Sequence, residues 1–383
     1  MRPARPSPVR ARVVAVAIAG LTTTSVLAAC SSPDDLAQEF SVEAALAQVP
    51  AATPREGLLV RAADMRAASE AAGVEHPSDG SRESWGNWSI RMSGVSQDGE
   101  EAPVVVSMPP TLNLDRAAPE DFAEVLGLSI QDADRVVDAT AGASRFAVLA
   151  GDVVADLLSD DLVEVADGVR SDRDAPDLQV DLANASAVDP TGAPVRVAAQ
   201  DGRIAIGSTT ALLSAWLAGG DTLADDDALG PLARALDDAD VVSAVLMPVT
   251  PSDDPVADAA GAGRVAPPDQ VEQLRDRLDP LIPADPFLAV GVGWSAPDGE
   301  PRVHVSYAFG EDAHAQDAEG VLREAYGDGV SAVDGRPFSD RLTVEDVTVD
   351  GAVVTLELTP EPGSVGFLEQ ALQRRDVLFV SRA

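Results

Sequence analysis

Two Asp-Gly dipeptides, Asp201-Gly202 and Asp350-Gly351, each stand between short runs rich in Val, Ile and Leu. A two-residue hairpin turn demands positive φ angles, which Gly takes freely and Asp tolerates better than most residues. The first pair predicts strands over Val195–Ala199 and Arg203–Ile206, and the second predicts Leu342–Val349 and Ala352–Leu358. Each hairpin runs into a Gly-Ser step (207–208, 363–364) and then a helical pattern, Thr210–Ala218 in one case and up to about Arg374 in the other. Antiparallel sheet with helices attached is therefore required twice.

The order around these hairpins also recurs. In the second half, a buried strand at Val241–Leu246 precedes a helix at Pro268–Leu278. Strands Phe287–Ser295 and Arg302–Phe309 then pair across Pro297-Asp298-Gly299, and a helix lies near Ala318–Tyr326. In the first half, Asp34 can cap a helix reaching about Gln48, and Leu58–Val60 reads as a strand. Asp64 caps a helix through Ala72 that Gly73 stops, and Pro119 opens one that Gly127 stops. Trp85–Ser93 and Pro103–Met108 read as strands around Gln97-Asp98-Gly99-Glu100, matching the Asp298 turn. The expected fold is α+β: two similar domains, 36–236 and 237–383, each a mainly antiparallel twisted sheet with helices packed on one face. The first carries an Asp-rich insertion near 156–193, and duplication explains the shared order.

Charge narrows the partners. Asp and Glu number 64 against 27 basic residues, all of them arginine, for a formal charge of −37. Nucleic acid binding needs cationic side chains to displace phosphate counterions and is excluded as an expectation. The same charge repels anionic head groups, so a body of this kind stands off a membrane surface. Its simplest reading is a solvated surface.

The N-terminus locates the chain. Arg2, Arg5, Arg10 and Arg12 precede an uncharged, mostly apolar span, Val13–Leu27. That span suits a signal segment and falls short of the roughly 20 residues needed to cross a bilayer. Leu27-Ala28-Ala29-Cys30 follows, with the only cysteine of the sequence. This stretch resembles a bacterial lipobox. The resemblance implies a signal peptide at 1–29, recognised by the peptidase at Leu27, Ala28 and Ala29, and a lipid on Cys30. Residues 30–35 would be the lipidated tether. Cleavage removes four arginines and no acid, which takes the net charge from −37 to −41. Acyl chains contribute about 0.8 kcal/mol per buried methylene, enough for two of them to hold a protein at a membrane. With Cys30 acylated no thiol remains for disulfides, nucleophilic catalysis or sulfur-ligated metal.

Further patterns resemble actinobacterial cell-envelope lipoproteins of unestablished function. They comprise Ala45-Leu46, Val49-Pro50 and Thr53-Pro54 before Asp64-Met65-Arg66-Ala67, then Leu126-Gly127-Leu128 with Asp132 and Asp134. Val148-Leu149-Ala150-Gly151-Asp152, Asp201–Ser208 and Leu223-Ala224-Asp225-Asp226 complete the set. The resemblance implies an anchored, exported α+β protein and supplies no active-site residues.

Catalytic patterns are scarce. His76, His304 and His314 are the histidines, without HExxH spacing, and no Gly-x-Ser-x-Gly elbow occurs. The Asp225–Asp227 run, the Asp237-Asp238-Asp240 group and Asp172, Asp174 and Asp177 lack the glycine and distal glutamate of a calcium loop. Acidic groups at helix starts account for Asp225–Asp227. Gly291-Val292-Gly293 lacks a third glycine and a following helix, so no nucleotide loop is expected. No metal or cofactor is expected. Trp85 and Trp88, three apart in a strand, would face opposite sides. One, with Asn87, could meet a ligand such as a sugar ring, whereas burial of both is the plainer alternative.

The sequence thus points to a lipid-anchored protein on the outer face of the cytoplasmic membrane, and to a non-catalytic module binding an envelope protein or glycan. A lipid or small-molecule carrier with an apolar cavity is a second class, and an envelope hydrolase using carboxylates a third.

Overall fold

Asp201 and Gly202 take φ of 50° and 72°, and Gln200 pairs with Arg203, as a tight hairpin with two left-handed residues requires. The second hairpin turns one residue later. Asp350 pairs with Val353, so the loop is Gly351-Ala352, with Gly351 alone at positive φ (54°). The computed structural model describes residues 36, 39–94, 101–112, 114, 117–152, 158–261, 268–332 and 334–383. The leader, Cys30, the tether and the turn at 97–100 lie outside them.

Among the described residues twelve strands form one antiparallel sheet. They are β1 (Leu59–Asp64), β2 (Ala133–Ala141), β3 (Ser144–Gly151), β4 (Val163–Ala166), β5 (Val169–Ser171) and β6 (Arg196–Gln200). The others are β7 (Arg203–Gly207), β8 (Ser243–Pro248), β9 (Phe287–Ser295), β10 (Arg302–Phe309), β11 (Leu342–Asp350) and β12 (Val353–Pro360). Their order is β11-β12-β10-β9-β8-β1-β2-β3-β7-β6-β5-β4. Outward from the β1·β8 pair, β1, β2, β3, β7, β6 on one side repeat the sequence β8, β9, β10, β12, β11 on the other. The halves recur in strand order, yet they share one sheet, because Val60–Ala63 pair with Ser243–Leu246.

The fold is α+β with a mainly antiparallel sheet, and side-chain alternation divides its core between two faces. On the first face lie α2 (Met65–Ala72), α3 (Arg82–Met92) and α4 (Pro119–Leu126), then α7 (Pro255–Gly261), α8 (Pro268–Leu278), α9 (Asp312–Asp328) and α10 (Phe367–Gln373). On the second lie α1 (Val42–Leu46), α5 (Thr210–Ala218) and α6 (Leu229–Asp237). Within each half, the helices between its first two strands all lie on the first face.

Caps explain the helix bounds. Asp64 accepts the Ala67 amide at 2.7 Å, and Gly73 ends α2 at φ 61°. Pro119 starts α4 and Gly127 ends it at φ 72°. Two expectations fail. Trp85–Ser93 is not a strand but most of α3, whose N-cap Ser81 accepts the Ser84 amide and whose helical spacing buries Trp85, Trp88 and Met92 together. Pro103–Met108 does not join the sheet, though Val104, Val105 and Val106 are buried. The counterpart of the β9–β10 hairpin is therefore β2–β3. Most of the extra length of the first half lies in 65–132 against 249–286, and less in 152–195, where Arg196, 2% exposed, binds Asp177, Thr210 and Ser171.

Gly291 and Gly293 have a packing role. A Cβ on Gly293 would lie 2.7 Å from Val241 Cγ1 and 3.1 Å from Leu236 Cδ2, so bare backbone lets α6 and the chain after it press onto β9. Gly293→Val gains strand propensity of at most about 1 kcal/mol and loses about 1–3 kcal/mol to overpacking. A net fall in the urea midpoint is expected; an unchanged or raised midpoint would contradict this packing.

Candidate functional site

The open side of the second half follows from alternation. Val303, Val305, Tyr307 and Phe309 of β10 enter the core of the first face, so Arg302, His304 and Ser306 point to the second. Register extends the row: His304 lies opposite Glu357 and Glu357 opposite Asp346, while Ser306 lies opposite Thr355 and Thr355 opposite Thr348. In the first half α5 covers the matching strands with Leu212, Leu213 and Trp216. After β12, α10 instead packs on the first face, and β11 and β12 keep polar side chains on the second. Between that floor and α6 runs a groove of about 560 Å³, lined by Arg234, Asp238, His304, Asp346, Asp350 and Glu357 among others.

Acidic groups dominate it. Arg234 binds Glu43 at 2.9 Å, and Arg302 Nε lies 3.4 Å from Glu357. Burial holds the His304 imidazole below its ordinary pKa, against the pull of the Glu357 carboxylate. Its Nε2 lies 3.0 Å from Ser295 Oγ. Ser295, His304 and Glu357 are the residue types of an acyl-transfer relay, but the acid engages Arg302 and Ser295 is only 5% exposed. A buried hydrogen bond describes this pair better than a presented nucleophile. Among the described residues no three His, Cys, Asp or Glu side chains come together closely enough to hold a metal.

Leu27, Ala28, Ala29 and Cys30 lie outside the described residues. Trp85 and Trp88, with Asn87 between them, do not form a ligand platform. Both indoles are buried, at 3% and 2% exposure, and only Asn87 is exposed. They meet each other edge-on at 5.4 Å and His76 at 5.6 Å, and Trp88 Nε1 donates to Ser69 Oγ. Helical spacing puts residues three apart on one side, where strand spacing would have separated them. His314 stands in the first turn of α9, its Nε2 3.5 Å from Asp285.

Asp225, Asp226 and Asp237 of the aspartate runs are engaged in capping. Asp225 accepts the Thr222 amide and hydroxyl, and Asp226 accepts the Ala228 and Leu229 amides at the start of α6. Asp237 accepts the Val42 and Glu43 amides and so ties α1 to α6.

Sequence reasoning missed a charged cluster inside the first face. Arg61 of β1 is 9% exposed; its Nε donates to Ser107 Oγ at 2.9 Å and its Nη1 to Thr140 Oγ1 at 3.3 Å. Nη1 also lies 3.7 Å from Oδ1 of Asp138, a residue with no exposure at all. Ser107 donates onward to Glu369 of α10 at 2.5 Å. Burial pushes Asp138 up to about 6, although Thr111 and Arg61 pull it down, and burial likewise raises Glu369. The signal was present: Arg61 and Asp138 each interrupt an apolar run.

No protein-family model matches the sequence, and no curated protein matches it. Among solved structures, crystal form I of TP0453 aligns over 86% of this chain and 97% of that one, at 8% identity and a TM-score of 0.35. So slight a likeness transfers no property from that protein.

Proposed function

We propose that this protein is a lipoprotein, anchored through Cys30 on the outer face of the cytoplasmic membrane, that serves there as a non-catalytic binding module. The groove over β10, β11 and β12 is its docking surface for a neighbour in the envelope. The observation that supports this reading is the groove itself: an open floor with polar side chains, beside a sheet whose two faces each carry a mainly apolar core among the described residues. A carrier would hold its cargo in an enclosed apolar cavity. This groove opens to solvent and is lined by four carboxylates, Asp238, Asp346, Asp350 and Glu357.

One experiment tests both parts. Cys30→Ala should shift the protein from the membrane fraction to the medium, and continued tight membrane association would defeat the anchor. With Cys30 intact, a photo-crosslinking residue at Thr348 should give a discrete adduct in whole cells, and one at Glu324 on α9 should give none. Equal labelling from both positions, or none from Thr348, would defeat the docking surface.

A further inference from the structure

β11 is the last strand at its end of the sheet, so one of its edges has no neighbouring strand among the described residues. An open edge of this kind presents amides and carbonyls with which an extended chain can pair. We propose that the occupant of the groove is a basic segment of a partner protein, seated as an additional strand on β11 with Lys or Arg at alternate positions. The proposal rests on the docking reading above and adds to it the chemistry of the neighbour.

Alternation and register place the charges. β11 is bulged between Val344 and Asp346 and regular from there to Asp350. Over that stretch Val347 and Val349 join the core of the first face, so Asp346, Thr348 and Asp350 stand on the second and line the groove, all three exposed. Among the described residues no hydrogen bond or ion pair engages the carboxylates of Asp346 and Asp350, or that of Asp238 on the α6 wall. The C-terminus of α6 adds partial negative charge to that wall. The floor holds a further unused contact. His304 is 7% exposed, Ser295 occupies its Nε2, and its Nδ1 has no partner among the described residues. Burial keeps that ring uncharged at neutral pH, so it does not oppose a cation. The nearby guanidinium groups are already matched, Arg234 by Glu43 and Arg302 by Glu357.

Charge chooses the occupant. A strand with a basic residue at every second position sets cations opposite Asp346 and Asp350, and opposite charges facing each other across a strand pair are favourable. A second copy of β11 would instead bring acids against acids, in a chain of formal charge −37. At the other end of the sheet β4 is short, Val163–Ala166, and is broken by its own bulge.

The test is titration calorimetry on the mature protein, held in a non-ionic detergent. The probes are three nonapeptides: lysine alternating with threonine, glutamate alternating with threonine, and the composition of the first with its lysines in one block. The alternating lysine peptide should bind with a Kd below about 1 mM, and about tenfold or more tighter than either of the others. Asp346→Asn with Asp350→Asn should weaken it about tenfold, through loss of both cross-strand charge pairs, while circular dichroism stays unchanged. Glu324→Gln on α9 should leave the affinity as it was. Affinity should also fall between about 0.05 M and about 0.5 M salt, as the screening length shortens. Absence of binding would overturn the proposal, as would equal binding of the block peptide or affinity indifferent to the double variant. So would a Thr348 adduct that proves to be a second copy of this chain. A Thr348 adduct with another protein, together with failure of the lysine peptide, would remove this inference and leave the docking surface standing.

Discussion

Arg61→Met should destabilise the protein by about 3–5 kcal/mol at pH 7.5, the usual loss when one partner of a buried ion pair is removed. Methionine keeps the length of the side chain and removes its charge. Asp138 and Glu369 then remain inside the first face without the guanidinium, and Asp138 Oδ1 already has no hydrogen bond to replace it. The loss should shrink at pH 5, because Asp138, raised to about 6, can take a proton there. Removing the whole cluster is a different matter. Arg61→Met with Asp138→Leu and Glu369→Met leaves no charge in this cluster, and most of the stability should return. Urea denaturation at both pH values checks the set. A single-variant loss below about 1 kcal/mol, or a triple variant no better than the single, would show that the cluster is not acting as a buried pair.

Stability should also fall as pH rises from about 4 to about 7. Asp138 and Asp237 are both pushed up to about 6 by burial, from an ordinary 3.8. Between those values the folded chain holds protons that the unfolded chain has released. The slope of unfolding free energy with pH is then negative, so this stabilisation is complete below pH 4 and lost through pH 6. Two pKa units at Asp138 set a ceiling of about 3 kcal/mol. Mutual repulsion within a chain of formal charge −37 acts in the same direction. The opposing carboxylates are Asp79 and Asp225, held below the ordinary value by hydrogen bonds from Ser84 and from the Thr222 amide, with Asp177 and Asp334, held there against burial by Thr210 and by Arg341; they lose their benefit only in stronger acid. Thermal scans from pH 4 to 8 should therefore give the highest melting temperature on the acid side of 6. Asp138→Asn should flatten the profile, and a melting temperature that climbs through pH 6 would reverse the sign argued here.

Local signals in the chain were enough for much of this architecture. Asp64 with Gly73, Pro119 with Gly127, and the two Asp-Gly pairs place helices and hairpins within a residue or two, because caps and turns are chosen by backbone chemistry over a few residues. β2 and β3 escaped such reading. Asp134, Arg135 and Asp138 break the apolar run of β2, and their burial is tolerated through partners such as Arg66, Asp64 and Arg61, far away in sequence. Trp85 and Trp88 misled for the opposite reason: aromatic residues favour strands, and only the Ser81 cap decides for helix. The groove was invisible because its row of Arg302, His304 and Ser306 is what any solvated strand face looks like. That α10 would cross to the other face, leaving that row open, depends on long-range packing of Leu368, Ala371 and Leu372. The single continuous sheet was hidden likewise, since edge pairing of β1 with β8 leaves no mark in either strand.

That seam has a kinetic price. A chain emerging with its N-terminus first can complete β1 to β7 while one edge of β1 still lacks a neighbour, since Ser243–Leu246 have yet to appear. Until they do, the edge of Val60–Ala63 offers free amides and carbonyls to any passing strand. Ladders closed across so many residues form slowly, so synthesis of this protein should be most prone to aggregate in truncated products that end before residue 243.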